Sequence, residues 1–133
     1  MKAEAKVIAK DLPISWKQSV ELCDFVRNNP LSKAKTKLQN VISMKAPAPY
    51  KKYVQSMPHR RGNMATGRYP IKAATHLLHV LNSAEANAEV KGLDVKNLII
   101  TKLIANKAGN QPHYGRNRRN MKRTHIAVYL QEK

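Results

Sequence analysis

The spacing of apolar residues along the first third of the chain predicts two helices. A stripe at helical spacing follows Ser15 and consists of Trp16, Val20, Leu22, Cys23, Phe25 and Val26. Gln18 stands three residues after Ser15, the spacing of a capping box that satisfies free N–H groups at a helix start. A second helix is expected after Pro30, with Asn29 as its cap, since proline suits a first helical turn. Its inward positions are Leu31, Ala34, Leu38, Val41 and Ile42, and Lys33, Lys35 and Lys37 point outward.

The third predicted helix begins at Pro70 and is the most regular of the three. Its apolar stripe is Ile71, Ala74, Leu78, Leu81, Ala84 and Ala88, with Leu77 at the edge. Gly92 is expected to end it, because glycine is common just past a last helical turn.

Three segments read as strands. Lys6–Ala9 is a short candidate, and a nearly all-apolar strand is expected from about Leu98 to Ala105. From about Thr124 to Leu130, apolar and polar residues alternate, which predicts a strand with Ile126, Val128 and Leu130 on one face.

Residues 46–69 interrupt the helical pattern and combine turn residues with cations. A loop of this length within a compact domain is usually functional or ordered by a partner. Aromatic side chains alternate with the cations, which suits phosphate contact combined with stacking on bases or sugars. The alternative is a flexible linker with scattered aromatics. The cations are Lys51, Lys52, Arg60, Arg61 and Arg68, and the rings belong to Tyr50, Tyr53, His59 and Tyr69.

Residues 106–123 lie between the last two strands and are either a simple loop or an extended hairpin. Their cations are Lys107, Arg116, Arg118, Arg119, Lys122 and Arg123. If the strands continue outward, about nine residues per arm at roughly 3.3 Å each reach on the order of 30 Å. Such an arm has too few large apolar residues to pack on its own domain, so an external surface would have to order it.

The charge of the chain is high and unevenly distributed. Its formal net charge is +17 on 133 residues, with a sequence pI near 10.3. No acid occurs from Phe25 to Ala84 or from Val95 to Gln131. Ordinary surfaces mix both signs, so these stretches predict a polyanionic partner rather than merely solvated lysines. Nucleic acid is the first candidate partner and an anionic membrane the second.

Several classes of protein are excluded. The length suits one domain, no apolar run is long enough for a membrane span, and the first residues lack a secretory signal. One cysteine, Cys23, excludes an internal disulfide and suits a reducing compartment. His76 and His79 lie three apart but have no further ligand nearby in sequence. No catalytic motif is present, so we predict no enzymatic activity, catalytic residue, metal site or cofactor.

Several segments together resemble the large-subunit ribosomal protein twenty-two family in its archaeal and eukaryotic form. The similarity spans essentially the whole chain in order. The segments are Leu12–Val20, Gly67–Ala74, Ser83–Glu89, Gly92–Asp94 and Thr124–Leu130. Among them Ser83–Glu89, with the sequence SAEANAE, is very close to the family's most recognisable stretch.

The resemblance implies an α+β fold, with three helices packed on a small three-stranded antiparallel sheet and a long projecting β-hairpin. Residues 1–133 would form a single ribosomal protein domain with a basic loop at 46–69 and a hairpin arm at about 106–123. The function implied is that of a structural constituent of the large subunit in the cytoplasmic ribosome. It would bind ribosomal RNA, line the polypeptide exit tunnel with its hairpin, and support subunit assembly and translation.

The implied partners are large-subunit ribosomal RNA, neighbouring large-subunit proteins and the nascent peptide near the hairpin tip, with no membrane. The tip, residues 110–119, is several residues shorter than the family pattern. His113 and Tyr114 are expected to stack on unpaired bases. The predicted RNA-binding residues are Lys51, Lys52, His59, Arg60, Arg61, Arg68, Lys107, His113, Tyr114, Arg116, Arg118, Arg119, Lys122 and Arg123.

Two other functions are alternatives to this one. A free-standing nucleic-acid chaperone or DNA-compacting protein would form stable dimers and bind duplex DNA at near-physiological salt. An RNA-modifying enzyme is a weaker alternative, because no cofactor motif supports it.

Overall fold

Three helices lie against one face of a three-stranded antiparallel sheet in the computed structural model, which describes residues 4–116 and 118–133. This arrangement confirms the predicted α+β fold. The strands are β1 Glu4–Leu12, β2 Ala48–Pro49, β3 Gly67–Arg68, β4 Leu98–Lys107, β5 Gln111–Pro112, β6 Asn120–Met121 and β7 Thr124–Glu132. The helices are α1 Trp16–Val26, α2 Leu31–Ile42 and α3 Ile71–Val90, and a short 3₁₀ turn covers Val95–Asn97.

The last strand, β7, forms the centre of the sheet, between β1 and β4. Its predicted alternation is confirmed: Ile126, Val128 and Leu130 are buried against the helices. All three large strands extend further than the sequence pattern indicated. On the opposite, solvent-facing side, the Tyr129 ring has the Lys6 and Lys102 ammonium groups 5.2 and 5.8 Å from its centroid. The basic character of the chain therefore extends across the open face of the sheet.

Helix α3 crosses β1 and β7 and supplies much of the core. Its buried residues are Ala73, Ala74, Leu77, Val80, Leu81, Ala84 and Ala88. The predicted stripe was wrong at two positions, since Ile71 is 39% exposed and Leu77, rather than Leu78, is fully buried. The buried face is rotated toward Leu77 because α3 contacts α1 and α2 as well as the sheet.

Gly92 ends α3 as predicted. Its φ is +72°, its N–H donates to Glu89 O, and the Leu93 N–H donates to Ala88 O. This hydrogen-bond pair is the Schellman motif, which satisfies carbonyl groups that the helix leaves free.

We expect Gly92→Ala to lower the free energy of unfolding by about 1 kcal/mol, because L-residues are strained in the left-handed region. Thermal denaturation of the purified chain measures this loss. Gly109→Ala is the matched control, since Gly109 has no positive φ and no neighbour within 4 Å of an added Cβ. Equal melting temperatures for the two variants would contradict the conclusion that the left-handed conformation of residue 92 requires glycine.

Helix α1 departs from its predicted pattern. Ser19 and Glu21 are buried, whereas Trp16 and Val20 are only partly buried. The predicted capping box does not form, because the Ser15 side chain makes no capping hydrogen bond. Polar residues can occupy buried positions here because they have partners: the Ser19 hydroxyl donates to Ser15 O at 2.8 Å.

The turn between α1 and α2 is attached to the edge of the sheet. Asn28 N–H donates to Ile100 O, and Ile100 N–H donates to Asn29 O. The Asn29 amide donates to Val26 O and Arg27 O. Asn29 therefore closes the end of α1 rather than capping α2, whose first flanking residue is Pro30.

Candidate nucleic-acid interface

The basic loop 46–69 is held to α1 by one buried carboxylate. Glu21 is 1% exposed and accepts the backbone N–H groups of Lys51, Lys52 and Tyr53 at 2.9, 2.7 and 2.8 Å. Successive N–H groups that converge on an anion form a stable polar cluster. Sequence reasoning missed this role, because an acid on a helix gives no sign that it will be buried under a loop.

Short pairings close the rest of the loop. β2 and β3 pair at Ala48 with Arg68 and at Pro49 with Gly67. Tyr50 and Thr66 add two bonds, Tyr50 N–H to Thr66 O at 3.0 Å and the Thr66 hydroxyl to Tyr50 O at 2.9 Å. The described contacts therefore favour an ordered loop over the flexible linker that the sequence left open.

The loop aromatics differ in accessibility. Tyr50 is only 4% exposed, so the expectation that its ring stacks on a base was wrong. Tyr53 packs edge-on against Trp16, with ring centroids 5.7 Å apart. The Arg60 guanidinium lies 5.3 Å from the Tyr69 ring centroid, and its Nε donates to Gly67 O. Arg60 thus also stabilises the loop.

The segment between β4 and β7 is a hairpin arm. Pairing of the two strands extends to Lys107 and Thr124, and Ala108 N–H then donates to Arg123 O. β5 and β6 continue the pairing, and His113 N–H donates to Arg119 O at 2.8 Å. Of the two alternatives from the sequence, the backbone therefore takes the extended hairpin.

The outer part of the arm has no packing partner among residues 4–116 and 118–133. Every described residue from 109 to 120 is exposed. At the tip the His113 and Tyr114 rings lie 5.3 Å apart, and Tyr114 is 86% exposed. The exposed arginines Arg116, Arg118 and Arg119 follow at once. The tip thus presents aromatic rings and guanidinium groups together.

Three clefts meet at Ser15 and connect the loop to the base of the arm. One lies beside the loop and includes Lys52 and Arg68. The other two lie beside the arm, and both include Lys122 and Arg123. Among the described residues that line these three clefts there is no carboxylate. The first turn of α1 is therefore surrounded by cations from both predicted regions.

Two cations at this junction were missed by sequence reasoning. Lys17 lines two of the clefts and Lys72 lines the third. Each is a single lysine at the start of a helix, and nothing in its sequence context distinguishes it. Only the tertiary structure brings them beside the loop and the arm.

The fourteen predicted site residues form two groups. Lys52, Arg68, Lys107, Lys122 and Arg123 line the clefts around Ser15. The rest lie outside those clefts, either on the loop or on the outer arm: Lys51, His59, Arg60, Arg61, His113, Tyr114, Arg116, Arg118 and Arg119.

No chemical site competes with this basic surface in the part of the chain that the structure describes. Cys23 is buried, and burial raises the pKa of its thiol to about 12, so it remains a neutral core residue. Residues 4–116 and 118–133 contain no group of three potential metal ligands. None of the helices in these ranges combines the length and apolar character that a membrane span requires.

Comparison with known proteins identifies the family. The family model described as Ribosomal protein L22p/L17e matches residues 7–131. The large ribosomal subunit protein uL22 of Archaeoglobus fulgidus is 44% identical over 105 residues, which cover 77% of this chain and 68% of that protein. The protein of the same name from Methanosphaera stadtmanae is 41% identical over an alignment of 136 positions, which covers 96% of this chain and 88% of that protein. The protein of that name from Methanopyrus kandleri is 41% identical over an alignment of 138 positions, which covers 97% of this chain and 87% of that protein.

The family match spans nearly the whole chain and agrees with the resemblance expected from the sequence. The chain therefore belongs to the ribosomal protein L22p/L17e family, whose members are structural proteins of the large ribosomal subunit and not enzymes.

Proposed function

We propose that this chain binds large-subunit ribosomal RNA through the basic loop 46–69 and the hairpin arm at about 106–123, and that the arm lines the polypeptide exit tunnel. Membership of the family supports the ribosomal setting. The net charge of +17 supports a phosphate-rich partner, because Lys and Arg side chains that neutralise phosphates release condensed counterions.

The observation that carries the proposal is the exposure of a paired arm. The described residues from 109 to 120 are exposed although the two halves of the arm are hydrogen-bonded. A two-stranded hairpin alone is at best marginally stable in water. An RNA surface would supply the missing contacts, and the arginines at the tip suit its phosphates.

The chemistry of the fourteen site residues favours recognition of RNA shape. Arg forks can bridge phosphates of separate RNA segments, and lysines add less directional charge. Exposed rings at His113 and Tyr114 can stack on unpaired bases. Because the loop and the base of the arm meet at Ser15, one protein surface can hold converging RNA segments. Such contacts would support assembly of the large subunit, and through it translation.

In this proposal residues 1–133 act as one ribosomal domain with two RNA-binding extensions. The loop and the arm base contact RNA near the sheet, together with neighbouring large-subunit proteins. The arm extends away from the sheet, and its tip lies beside the nascent peptide.

Photo-crosslinking tests the tunnel position. A benzophenone amino acid replacing Tyr114 should crosslink both ribosomal RNA and an arrested nascent chain in large subunits that carry the variant. Val90 is the control position, being 89% exposed at the end of α3. There the adjacent Lys91 donates to Glu4 O, at the end of the sheet opposite the arm. The proposed tunnel location would be contradicted if position 114 gave no crosslink to the nascent chain, or if positions 114 and 90 gave equal yields of it.

A further inference from the structure

We propose that the cleft between α1 and residues 50–57, here called the α1 cleft, is a pocket for one unpaired nucleotide of the bound RNA. This inference rests on the proposed RNA-binding function and names the ligand of one part of that surface. The cleft is lined by Ser15, Lys17, Gln18, Tyr50, Lys52, Tyr53, Val54, Gln55, Ser56, Met57 and Arg68.

The size of the α1 cleft suits a single nucleotide. Its volume is about 580 Å³, within the range of roughly 300–1,000 Å³ that is usual for small-molecule sites. A base within a duplex is covered by its stacked and paired neighbours, so only an unpaired base can enter such a concave site.

The lining combines the two kinds of group that a nucleotide requires. Lys17 and Arg68 supply positive charge, and Lys52 adds a cation that is paired with Asp24 behind the lining. None of the described residues that line the cleft is a carboxylate. Tyr53, Val54 and Met57 supply aromatic and aliphatic surface. Cations suit the phosphate, while the apolar groups suit the faces of a base. An acidic peptide would also find cations here, but it would leave the ring of Tyr53 and the apolar surface without a matching group.

Two of the lining residues are held in place before any ligand binds. The Lys52 backbone is fixed by the buried Glu21, and its Nζ lies 3.0 Å from Asp24 Oδ2. Tyr53 packs on Trp16, and the Lys17 Nζ lies 5.5 Å from the Tyr53 ring centroid. A preformed site loses less conformational entropy when its ligand binds.

One residue that lines the cleft carries an unsatisfied polar atom. Tyr50 lines the cleft and is buried, yet its hydroxyl has no hydrogen-bond partner in the part of the chain that the structure describes. A buried polar group without a partner is costly, and native structures rarely retain one without a reason. Arg68 lines the same cleft as Tyr50. With a rotation of the Tyr50 ring toward the cleft, a polar atom of the bound nucleotide would supply the missing partner.

The test adds a carboxylate to the cleft without disturbing the core. Val54 is 45% exposed, and Val90, the matched control, is 89% exposed on α3. The purified full chain and the variants Val54→Glu and Val90→Glu are titrated with an unstructured ten-nucleotide RNA and, separately, with a blunt-ended RNA duplex. Trp16, the only tryptophan, reports binding by fluorescence because its ring touches Tyr53. Fluorescence anisotropy of labelled duplex reports the second titration.

We expect Val54→Glu to weaken binding of the single strand about tenfold, the size of one lost base-stacking contact. Val90→Glu should change it less than twofold, and duplex binding should be similar for both variants. Gln55→Glu, a second variant in the cleft, should behave like Val54→Glu. In ultraviolet-irradiated large subunits containing the chain, a peptide carrying Tyr53 or Met57 should be crosslinked to one nucleotide.

Equal single-strand affinities for the Val54→Glu and Val90→Glu variants would overturn the nucleotide pocket while leaving RNA binding by the loop and arm intact. Crosslinks confined to the arm would also overturn it. Failure of the unmodified chain to bind either RNA would instead overturn the proposed function, and the pocket with it.

Discussion

Replacing Arg116, Arg118 and Arg119 together by Glu is expected to abolish incorporation of the chain into large ribosomal subunits. The change removes three cations from an exposed tip and adds three anions there. Each phosphate contact contributes about 0.7–0.9 to the slope of log affinity against log salt, so losing three contacts should reduce the slope by about 2–3. Repulsion between the new carboxylates and RNA phosphates adds to the loss.

The measurement combines density-gradient sedimentation of tagged chains with binding to protein-free large-subunit RNA across a salt series. The melting temperature should stay unchanged, because these side chains make no contact with the core. The control variant replaces Lys33, Lys45 and Lys96 by Glu, which produces the same charge change at other exposed positions. Normal incorporation of the tip variant, or equal loss in the control, would contradict a specific role for the arm.

The second large effect is expected at Glu21, a residue that should be essential for the shape of the basic loop. Glu21→Ala leaves the backbone N–H groups of Lys51, Lys52 and Tyr53 without their carboxylate. A buried donor that loses its partner costs about 1–3 kcal/mol. Because water can reach some of these groups, we expect a total loss of about 2–4 kcal/mol in the free energy of unfolding.

Chemical denaturation measures this loss, and limited trypsin digestion identifies where the structure opens. Cleavage should begin at Lys51 and Lys52, because these residues are then no longer held against α1. Glu89→Ala, on the exposed side of α3, is the control and should alter neither property. If the Glu21→Ala variant were as stable to denaturant and as resistant to trypsin as the Glu89→Ala variant, the Glu21 carboxylate would not be the group that holds the loop against α1.

The parts of the fold that the sequence predicted are those in which apolar periodicity alone decides burial. Strand β7 alternates cleanly because one of its faces packs on helices and the other meets solvent. The pattern predicts helix α3 correctly but assigns Leu78 to its buried stripe and Leu77 to the edge, because both residues fit a helical period. Which of the two leucines is buried depends on how the neighbouring elements pack on α3, and the spacing of apolar residues carries no information about that packing.

Buried polar residues could not be predicted, because their position depends on distant partners. Ser19 and Glu21 lie at buried positions of α1, and a polarity pattern assigns both of them to the surface. Tyr50 stands in a segment full of prolines and cations, yet the paired ends of the loop draw its ring inside. The cost of burying such groups is lowered by hydrogen bonds that form only in the completed fold.

For the candidate site, the sequence located the cations but not their arrangement. Acid-free stretches identified both the loop and the arm as basic. That the two regions meet around Ser15, with Lys17 and Lys72 between them, depends on how α1 is placed against the sheet. Sequence spacing gives no information on that placement.

The arm continues the strands β4 and β7, whose pairing is set by residues buried under the helices. A register shift already interrupts this pairing between Ile100 and Lys102, well inside the domain. A shift of the β4–β7 register by one more residue would move every side chain further along the arm to the opposite face of the hairpin. The direction in which the distal rings and guanidinium groups point is thus determined in the interior, and an insertion near Thr101 would misdirect an arm whose own sequence is untouched.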